Sequence, residues 1–298
     1  MAPDASALPP EVRPIDFIAR WKQIVERRRA QMDAAYARSR IENADYWGRR
    51  AKSYREALHQ RMDEDPFLIR VRSAADASTT VLDVGAGTGR HTLALAPHVA
   101  RVTAVDPSEA MLGLLREDVE THGLRNVETV LSDWLDARVE PADLVICSHV
   151  LYPIADIEPF LLKLEASARR RVFVYLRADP LPTDIGLWSE FYGVPLQAQP
   201  VHMDLVNVLA QLGVMADVEI VEHRFTLTFG TMDEALVQVR NSLCLREDDA
   251  ESNARLRRLL DERLISWPGG RLGPDVASAR SAIISWPPRR ERSNAAAP

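Results

Sequence analysis

The feature that most constrains this chain is a glycine-rich turn between an apolar segment and a helix-like pattern. Residues 81–84 are apolar except for Asp83, as expected for a central parallel strand covered on both faces. Glycine lets a backbone turn sharply and approach a ligand where a Cβ would clash. Three glycines follow the segment, at Gly85, Gly87 and Gly89. Apolar residues then continue from Thr92 towards Pro97, as in one short helix. This order predicts an α/β fold with a nucleotide-like ligand at the turn.

Two classes of ligand compete for such a turn. The dinucleotide fingerprint G-x-G-x-x-G, counted from Gly85, requires a third glycine where this chain has Arg90. Asp83 lies two residues before the first glycine, where a carboxylate would repel a pyrophosphate but suits a ligand with an ammonium group. The spacing therefore favours S-adenosylmethionine over a nicotinamide dinucleotide. A glycine turn that binds no ligand is the remaining alternative.

At this point the sequence resembles the class I S-adenosylmethionine-dependent methyltransferases, because residues 83–89 (Asp-Val-Gly-Ala-Gly-Thr-Gly) closely match the first motif of that family. The resemblance covers about residues 43–177 by motif and the rest by strand order only. It implies a doubly wound, seven-stranded, mostly parallel sheet of Rossmann-like type, with the last strand antiparallel between the fifth and sixth. It also implies S-adenosylmethionine as the cofactor, with these binding residues in the turn: Asp83, Gly85, Ala86, Gly87 and Thr88.

The second strand is predicted at residues 101–106 and ends in Asp106, which lies 21 residues beyond Gly85. An acidic side chain at this strand end can accept hydrogen bonds from both ribose hydroxyls. The following Asp-x-Ser-x-x-Met-Leu pattern is common in the family. The resemblance implies that Pro107 borders the cofactor and that Met111 lies against the adenine. From the residues alone, Met111 could equally be part of the core.

The third strand is predicted at residues 126–131 and leads into Asp133 and Trp134. In the matching family position, an acidic side chain accepts a hydrogen bond from the adenine amino group and the next residue offers its backbone N–H. The resemblance carries these roles to Asp133 and Trp134. A helix N-cap or turn role for Asp133 is the alternative.

The fourth strand, residues 141–148, is followed by His149 at the end of the sheet where chemistry gathers in this architecture. Methyl transfer is an in-line displacement that needs an aligned nucleophile and, in some cases, removal of its proton. His149 is the candidate catalytic base, since an imidazole pKa can be tuned to neutral pH. A hydrogen-bonded pocket residue without proton transfer is the alternative. Tyr46, Tyr54 and Tyr152 could instead orient a substrate or hydrogen-bond the carboxylate of S-adenosylmethionine.

The periodicity of apolar residues gives an outline of the whole chain. It predicts helices at 14–38, from Asn43 or Asp45 to 58, and at 65–75, a sixth strand at 217–229 and a last strand at 281–286. The second of these helices resembles the family's lid over the cofactor, although its aromatic residues could simply pack it down. The expected domains are a disordered tail (1–13), an N-terminal helical lid region (14–76), the methyltransferase domain (77–286) with helical insertions at 177–213 and 231–265, and a disordered tail (287–298).

Composition excludes several classes of protein. The net charge of −6 is uneven, because residues 1–72 carry 15 Lys/Arg against 11 Asp/Glu. No domain is strongly basic, so nucleic-acid binding is not expected. No apolar run is long enough to span a membrane and no export signal opens the chain. Two distant cysteines are expected as reduced thiols in a cytoplasmic protein, and the His and Cys spacing predicts no metal site.

Together these patterns predict an enzyme that transfers a methyl group from S-adenosylmethionine to an oxygen or nitrogen of a small molecule, as a monomer or homodimer. An RNA or protein methyltransferase that docks through the basic N-terminal helices is one alternative. A non-catalytic S-adenosylmethionine-binding protein is another. A nicotinamide-dependent oxidoreductase fits least well, given Asp83 and Arg90.

Overall fold

A computed structural model describes residues 14–39, 55, 65–179, 185–224, 227–276 and 278–289. The predicted lid helix from Asn43 or Asp45 to residue 58 lies outside the described residues except for Arg55. The predicted tail at 1–13 also lies outside them, as does the tail at 287–298 beyond residue 289. No helix in the described part of the chain is long and apolar enough to cross a membrane.

The described helices and strands follow the predicted order closely. The helices are α1 (Phe17–Ser39), α2 (Pro66–Arg72), α3 (Arg90–Leu95), α4 (Glu109–Thr121), α5 (Ile157–Ala166), α6 (Trp188–Tyr192), α7 (His202–Gln211), α8 (Met232–Ser242) and α9 (Ala250–Arg263). The strands are β1 (Thr80–Val84), β2 (Arg101–Asp106), β3 (Val127–Leu131), β4 (Ala142–Ser148), β5 (Ala168–Arg177), β6 (Asp217–Arg224), β7 (Leu264–Trp267), β8 (Arg271–Pro274) and β9 (Ser278–Trp286).

Seven of these strands form one sheet in the order β3-β2-β1-β4-β5-β9-β6. The strands β1 to β5 pair in parallel, and β9 runs antiparallel between β5 and β6. The predicted doubly wound, mostly parallel α/β sheet is therefore confirmed, including the antiparallel position of the last strand. The strand order reverses beside β1, and ligands bind at such a switch point in open α/β sheets.

Both faces of the sheet are covered by helices. Because successive residues of a strand point to opposite sides, each strand contributes side chains to both cores. Leu82 and Val145 pack with residues of α1, α5 and α7 in a core on one face. Val81 and Leu144 pack with α2 and α3 in a core on the other face. The nearly continuous apolar runs of β1 and β4 reflect this burial on both sides.

A satellite core forms away from the sheet and corrects part of the sequence outline. It joins the end of α1 to α6, α8 and α9 and includes these buried residues: Ala35, Tyr36, Leu187, Trp188, Phe229, Ala235, Val239, Leu243, Cys244, Leu256, Leu260 and Leu264. Helix α9 ends at Arg263 rather than at 265, and the hairpin β7–β8 follows it. The hairpin turns at Gly269 and Gly270, both with positive φ. Such a glycine pair is a strong hairpin signal, but it lies beyond the predicted insertion, in a stretch for which no element was predicted.

Two further boundaries differ from the expectations. The sixth strand was expected to reach residue 229, but β6 ends at Arg224, and Phe229 instead bridges to Leu272 in the satellite region. The alternation of apolar residues continued across a change of partner, so periodicity alone could not place the strand end. The other boundary is that of the C-terminal tail, predicted to be disordered from residue 287. Within it, the Arg289 guanidinium forms a bidentate pair with Glu165.

Candidate cofactor and acceptor site

The glycine turn leaves the end of β1 and bends back against β2. The backbone N–H groups of Gly85 and Ala86 donate to the Val105 carbonyl, at 2.8 and 3.1 Å. Gly85, Gly87 and Gly89 all have positive φ, between 56° and 88°. This left-handed backbone is open to glycine at little cost, which explains why the turn has glycine at each of these positions.

The three glycines differ in what surrounds them. A Cβ on Gly85 would lie 2.3 Å from a methyl group of Val150, and one on Gly89 would lie 2.2 Å from Leu115. A Cβ on Gly87 would meet no heavy atom of the described chain within 4 Å, its own neighbours aside. Gly85 and Gly89 therefore allow close packing of the protein, whereas Gly87 borders open space.

Asp106 joins this open turn to the end of β2. One carboxylate oxygen accepts the Gly87 N–H and the other accepts the Ser108 N–H, both at 2.9 Å. Burial raises the pKa of Asp106, although the two backbone hydrogen bonds oppose that shift. Each carboxylate oxygen can accept more than one hydrogen bond. Both oxygens therefore retain capacity for ribose hydroxyls, as the predicted role requires.

Asp83 is more deeply buried than a residue that contacts a ligand at the protein surface. Its side chain is 2% exposed and accepts a hydrogen bond from the Thr92 hydroxyl at 2.7 Å. Burial raises the pKa of this carboxyl, against the opposing influence of His91 and Thr92. This hydrogen bond links β1 to α3, the two elements that flank the glycine turn, and so restrains the turn. Two other predicted turn residues, Ala86 and Thr88, are also buried.

The residues predicted at the adenine end occupy two neighbouring loops. Pro107 follows β2, and Met111 is buried in the first turn of α4, which Ser108 caps. Asp133 is exposed and its carboxylate accepts the Leu135 N–H at 3.0 Å, which is the turn role considered above. Trp134 is buried, and its indole N–H donates to the Phe160 carbonyl at 3.3 Å.

His149 stands at the C-terminal edge of the sheet, as predicted, in an unusual backbone conformation. Its φ is 58°, a left-handed value that non-glycine residues adopt at an energetic cost. Its backbone N–H donates to the Tyr175 carbonyl at 2.9 Å. Its ring Nδ1 lies 2.8 Å from the Tyr152 hydroxyl, and the two rings stack with an interplanar angle of 15°. The structure therefore brings His149 together with Tyr152, one of the tyrosines considered for orienting a substrate.

The surroundings of His149 make its imidazole a weak base. Burial lowers its pKa to about 3, and the positive charges of Arg177 and Arg90 contribute in the same direction, followed by His91 and His223. A neutral imidazole is therefore the form present at neutral pH. Since a general base works best when its pKa lies near the working pH, this environment disfavours the role of base.

Sequence reasoning missed a charged cluster next to the glycine turn. Asp65 caps α2 by accepting the Phe67 N–H at 3.0 Å. Its other oxygen lies 2.8 Å from the Arg90 guanidinium and 3.1 Å from His91 Nε2. Asp followed by Pro at the start of α2 is a helix-start signal that could have revealed the cap, but not its partners on α3.

Taken together, these residues fit a nucleotide-like ligand with a ribose. The turn opens towards Gly87, and the carboxylate of Asp106 stands beside it with acceptor capacity left. Among the described residues, no three His, Cys, Asp or Glu side chains are grouped so as to hold a metal ion. A seven-stranded sheet of this order, with a glycine turn after β1 and an acidic residue at the end of β2, defines the Rossmann-like class of methyltransferase fold.

Comparison with known proteins supports the same class. Residues 81–169 match the family model described as a methyltransferase domain. This part of the chain is therefore similar to a methyltransferase domain, in agreement with the Rossmann-like fold of the sheet.

An uncharacterized protein of Haemophilus influenzae is 31% identical over 144 residues, which are 48% of this chain and 53% of that protein. The match thus spans about half the length of the curated relative. Two solved structures share the fold. The YcgJ protein of Bacillus subtilis has a TM-score of 0.51 at 14% identity, covering 75% of this chain and 98% of its own. A putative methyltransferase of Bacillus halodurans has a TM-score of 0.50 at 16% identity, covering 75% and 97%.

Proposed function

We propose that this protein transfers the methyl group of S-adenosylmethionine to an oxygen or nitrogen atom of a small molecule. The observation that carries the proposal is the pairing of Gly87 with Asp106. A turn that is open where a Cβ would point lies beside a carboxylate with spare acceptor capacity. The match of residues 81–169 to a methyltransferase domain supports the reaction class.

The described residues divide into those that hold the cofactor and those that shape its site. Asp106 would accept the ribose hydroxyls, Gly87 would let the ligand approach the backbone, and Pro107 would border it. Gly85 would serve the site through its close packing against Val150. Asp133 and Trp134 would border the adenine together with Met111. Asp83, Ala86 and Thr88, which are buried, would support the conformation of the turn from its protein side. The bound cofactor supplies a methyl group already activated by a sulfonium charge, so the protein mainly has to align the acceptor.

His149 is the residue that we propose to contact the acceptor, because it directly follows β4 on the same edge of the sheet as the turn. Among the described residues the ring is held through Nδ1, which leaves Nε2 to serve a ligand. The low pKa of His149 favours contact by a neutral imidazole over removal of a proton. Transfer to an acceptor that loses its proton readily would not require a stronger base.

A small acceptor is favoured over RNA by the way the basic helix α1 is used. The Arg28 guanidinium donates to the Gln197 carbonyl, and Arg29 donates to the Pro153 carbonyl at 2.9 Å. Lys22 pairs with Asp156 at 2.9 Å. These cations attach α1 to the rest of the fold, which leaves fewer of them to form a phosphate-binding surface.

Calorimetric titration with S-adenosylmethionine and S-adenosylhomocysteine tests the cofactor site. We expect Asp106→Ala to lose about tenfold or more in affinity, as for a charged hydrogen-bonding group worth 1.5 to 3 kcal/mol. Asp143→Ala is the matched control. Asp143 also accepts backbone and hydroxyl hydrogen bonds, from Thr80, but at the opposite end of the strands. Equal affinities in wild type and Asp106→Ala would refute the ribose assignment.

The methyl acceptor is identified from the mass of its methylated product, measured by mass spectrometry. The protein is incubated with S-adenosylmethionine carrying a labelled methyl group and with a metabolite mixture. We expect a small product heavier by one labelled methyl group. Label found only on RNA or protein would replace the small-molecule proposal by the first alternative. Tight cofactor binding without any labelled product would favour the non-catalytic alternative.

A further inference from the structure

Three groups at the ends of β4 and β5 form a short hydrogen-bonded chain. The backbone N–H of Arg177 donates to the Tyr152 hydroxyl oxygen at 3.0 Å. The same hydroxyl lies 2.8 Å from Nδ1 of His149. The imidazole is also fixed by its neighbours, since it stacks on the Tyr152 ring and lies 4.8 Å, centroid to centroid, from the Tyr175 ring. The ring therefore has one held nitrogen and one that is not held by the described chain.

The direction of the hydrogen bond between Tyr152 and His149 follows from the chemistry of the two groups. A phenol hydroxyl is a good donor, whereas the bare nitrogen of a neutral imidazole is a good acceptor. The phenol oxygen already accepts one hydrogen bond, from Arg177. The arrangement in which Tyr152 donates to Nδ1 is therefore favoured, and it places the single ring proton on Nε2.

We propose that Tyr152 is a positioning residue that holds His149 as a neutral Nε2–H donor, and that this donor binds an oxygen lone pair of the methyl acceptor, such as that of a carboxylate or carbonyl group. This proposal rests on the proposed methyltransferase function. It deepens that function by giving His149 the role of recognising the acceptor, in place of the base expected from sequence. An acceptor whose only polar groups are cationic would be a poor ligand for this site.

The charges around His149 agree with this assignment. The permanent positive charges near His149 come from two elements, with Arg90 on α3 and Arg177 on β5, while His91 on α3 and His223 on β6 are the titratable groups that also face it. Asp65 offsets part of this charge through its contacts with Arg90 and His91. Tyr175 carries a hydroxyl whose pKa is raised to about 12 by burial, so it remains neutral. A partly positive, donor-lined site suits an oxygen-bearing group.

Nitrogen-15 NMR of histidine-labelled protein tests the tautomer directly. The spectrum is recorded on the full chain saturated with S-adenosylhomocysteine, and the His149 signals are assigned by their loss in His149→Gln. We expect a proton on Nε2 and a hydrogen-bonded, unprotonated Nδ1. In Tyr152→Phe, which keeps the ring, the Nδ1 signal should move to the position of a nitrogen without a hydrogen bond. Tyr192→Phe is the control, because the Tyr192 hydroxyl donates to the Leu243 carbonyl instead.

Small probes then test recognition of the acceptor, since they fit any cavity that admits a substrate. Acetate, acetamide and methylammonium are titrated into the same sample. We expect saturable shifts of the His149 Nε2–H signal with acetate, or with both acetate and acetamide, and none with methylammonium. A proton on Nδ1, or no response to either oxygen probe, would overturn the proposal. Normal calorimetric binding of S-adenosylhomocysteine in that case would leave the methyltransferase function standing, whereas its absence would refute that function itself.

Discussion

At the scale of single residues, this site is built from backbone conformations that most amino acids avoid. Three glycines and His149 have positive φ on the same edge of the sheet. Glycine adopts this conformation at little cost in free energy. For His149, which has a side chain, the conformation is strained, and other contacts must offset that strain. Its backbone bond to the Tyr175 carbonyl and its stacking on Tyr152 supply those contacts.

Substituting alanine at Gly85 and at Gly87 is expected to lower the stability of the protein for different reasons. In Gly85→Ala the new Cβ would meet Val150 at 2.3 Å, so we expect unfolding in urea to show a loss of about 2 to 3 kcal/mol. In Gly87→Ala no such contact exists, and only the left-handed backbone should cost about 1 kcal/mol.

The same pair separates stability from ligand binding. Because Gly87 faces the open side of the turn, calorimetry should show Gly87→Ala to be the weaker binder of S-adenosylhomocysteine per folded molecule. In the double variant Gly85→Ala/Val150→Ala, the Val150 methyl groups that would clash are removed, so part of the lost stability should be recovered. If Gly87→Ala bound the ligand as wild type does, the ligand would not lie where we place it.

At the scale of elements, α2 and α3 are joined by one carboxylate. Asp65 begins α2, and its partners Arg90 and His91 open α3 directly after the glycine turn. Burial alone would raise the pKa of Asp65. The hydrogen bond and charge of His91, the charge of Arg90 and the Phe67 N–H outweigh burial and hold that pKa well below its usual range. The ionised carboxylate is thus part of the folded state.

This contact predicts a pH-dependent loss of stability. Asp65→Asn should lower the free energy of unfolding at neutral pH by about 2 kcal/mol, because a charged hydrogen-bonding partner is lost. Since the folded-state pKa is lowered, the stabilisation is complete above the unfolded value of about 3.9 and is lost as the pH falls below it. The difference between wild type and variant should therefore shrink in acid.

Thermal unfolding over a range of pH measures this difference. Asp249→Asn is the matched control, since Asp249 also caps a helix, by accepting the Ser252 N–H, and Asn caps equally well. Its difference from wild type should be small and nearly independent of pH. A constant difference for Asp65→Asn down to strongly acidic pH would show that charge at this position does not stabilise the fold.

At the scale of the whole molecule, the described chain has a doubly covered sheet and a satellite core beside it. The satellite core draws on α1, which precedes the sheet in sequence, and on α8, α9 and the hairpin, which lie between β6 and β9. Segments far apart in sequence thus share one small apolar interior. Its largest contributors include the fully buried Trp188, Phe229 and Leu256.

This division predicts that the two parts lose structure separately. Leu256→Ala should cost about 2 to 5 kcal/mol in the satellite core, as for a fully buried leucine. Hydrogen exchange read by mass spectrometry should show faster exchange in α8, α9 and β7–β8, with β1 and β4 unchanged. Leu162→Ala, at a half-exposed position on α5, serves as the control with little effect. Equal loss of protection throughout the sheet would instead indicate one cooperative unit.

Much of the fold could be read from the sequence because its signals are local. The apolar runs of β1 and β4, the glycines after β1 and the acid at the end of β2 each lie within a few consecutive residues. Strand period and glycine conformational freedom act over that range. The predicted order of elements is confirmed for that reason, while the hairpin at 264–274 was missed because no element was predicted between residues 265 and 281.

The sequence by itself determined the class of the sheet, the position of the glycine turn and the candidates Asp106 and His149. Only the tertiary structure decided what those side chains meet. It joined Asp65 to Arg90 and His91, placed the Tyr152 hydroxyl on His149 and surrounded that imidazole with cations. The physical reason is that backbone conformation depends mainly on nearby residues. Protonation and hydrogen-bonding roles depend instead on which distant segments fold together, and on how much water they exclude.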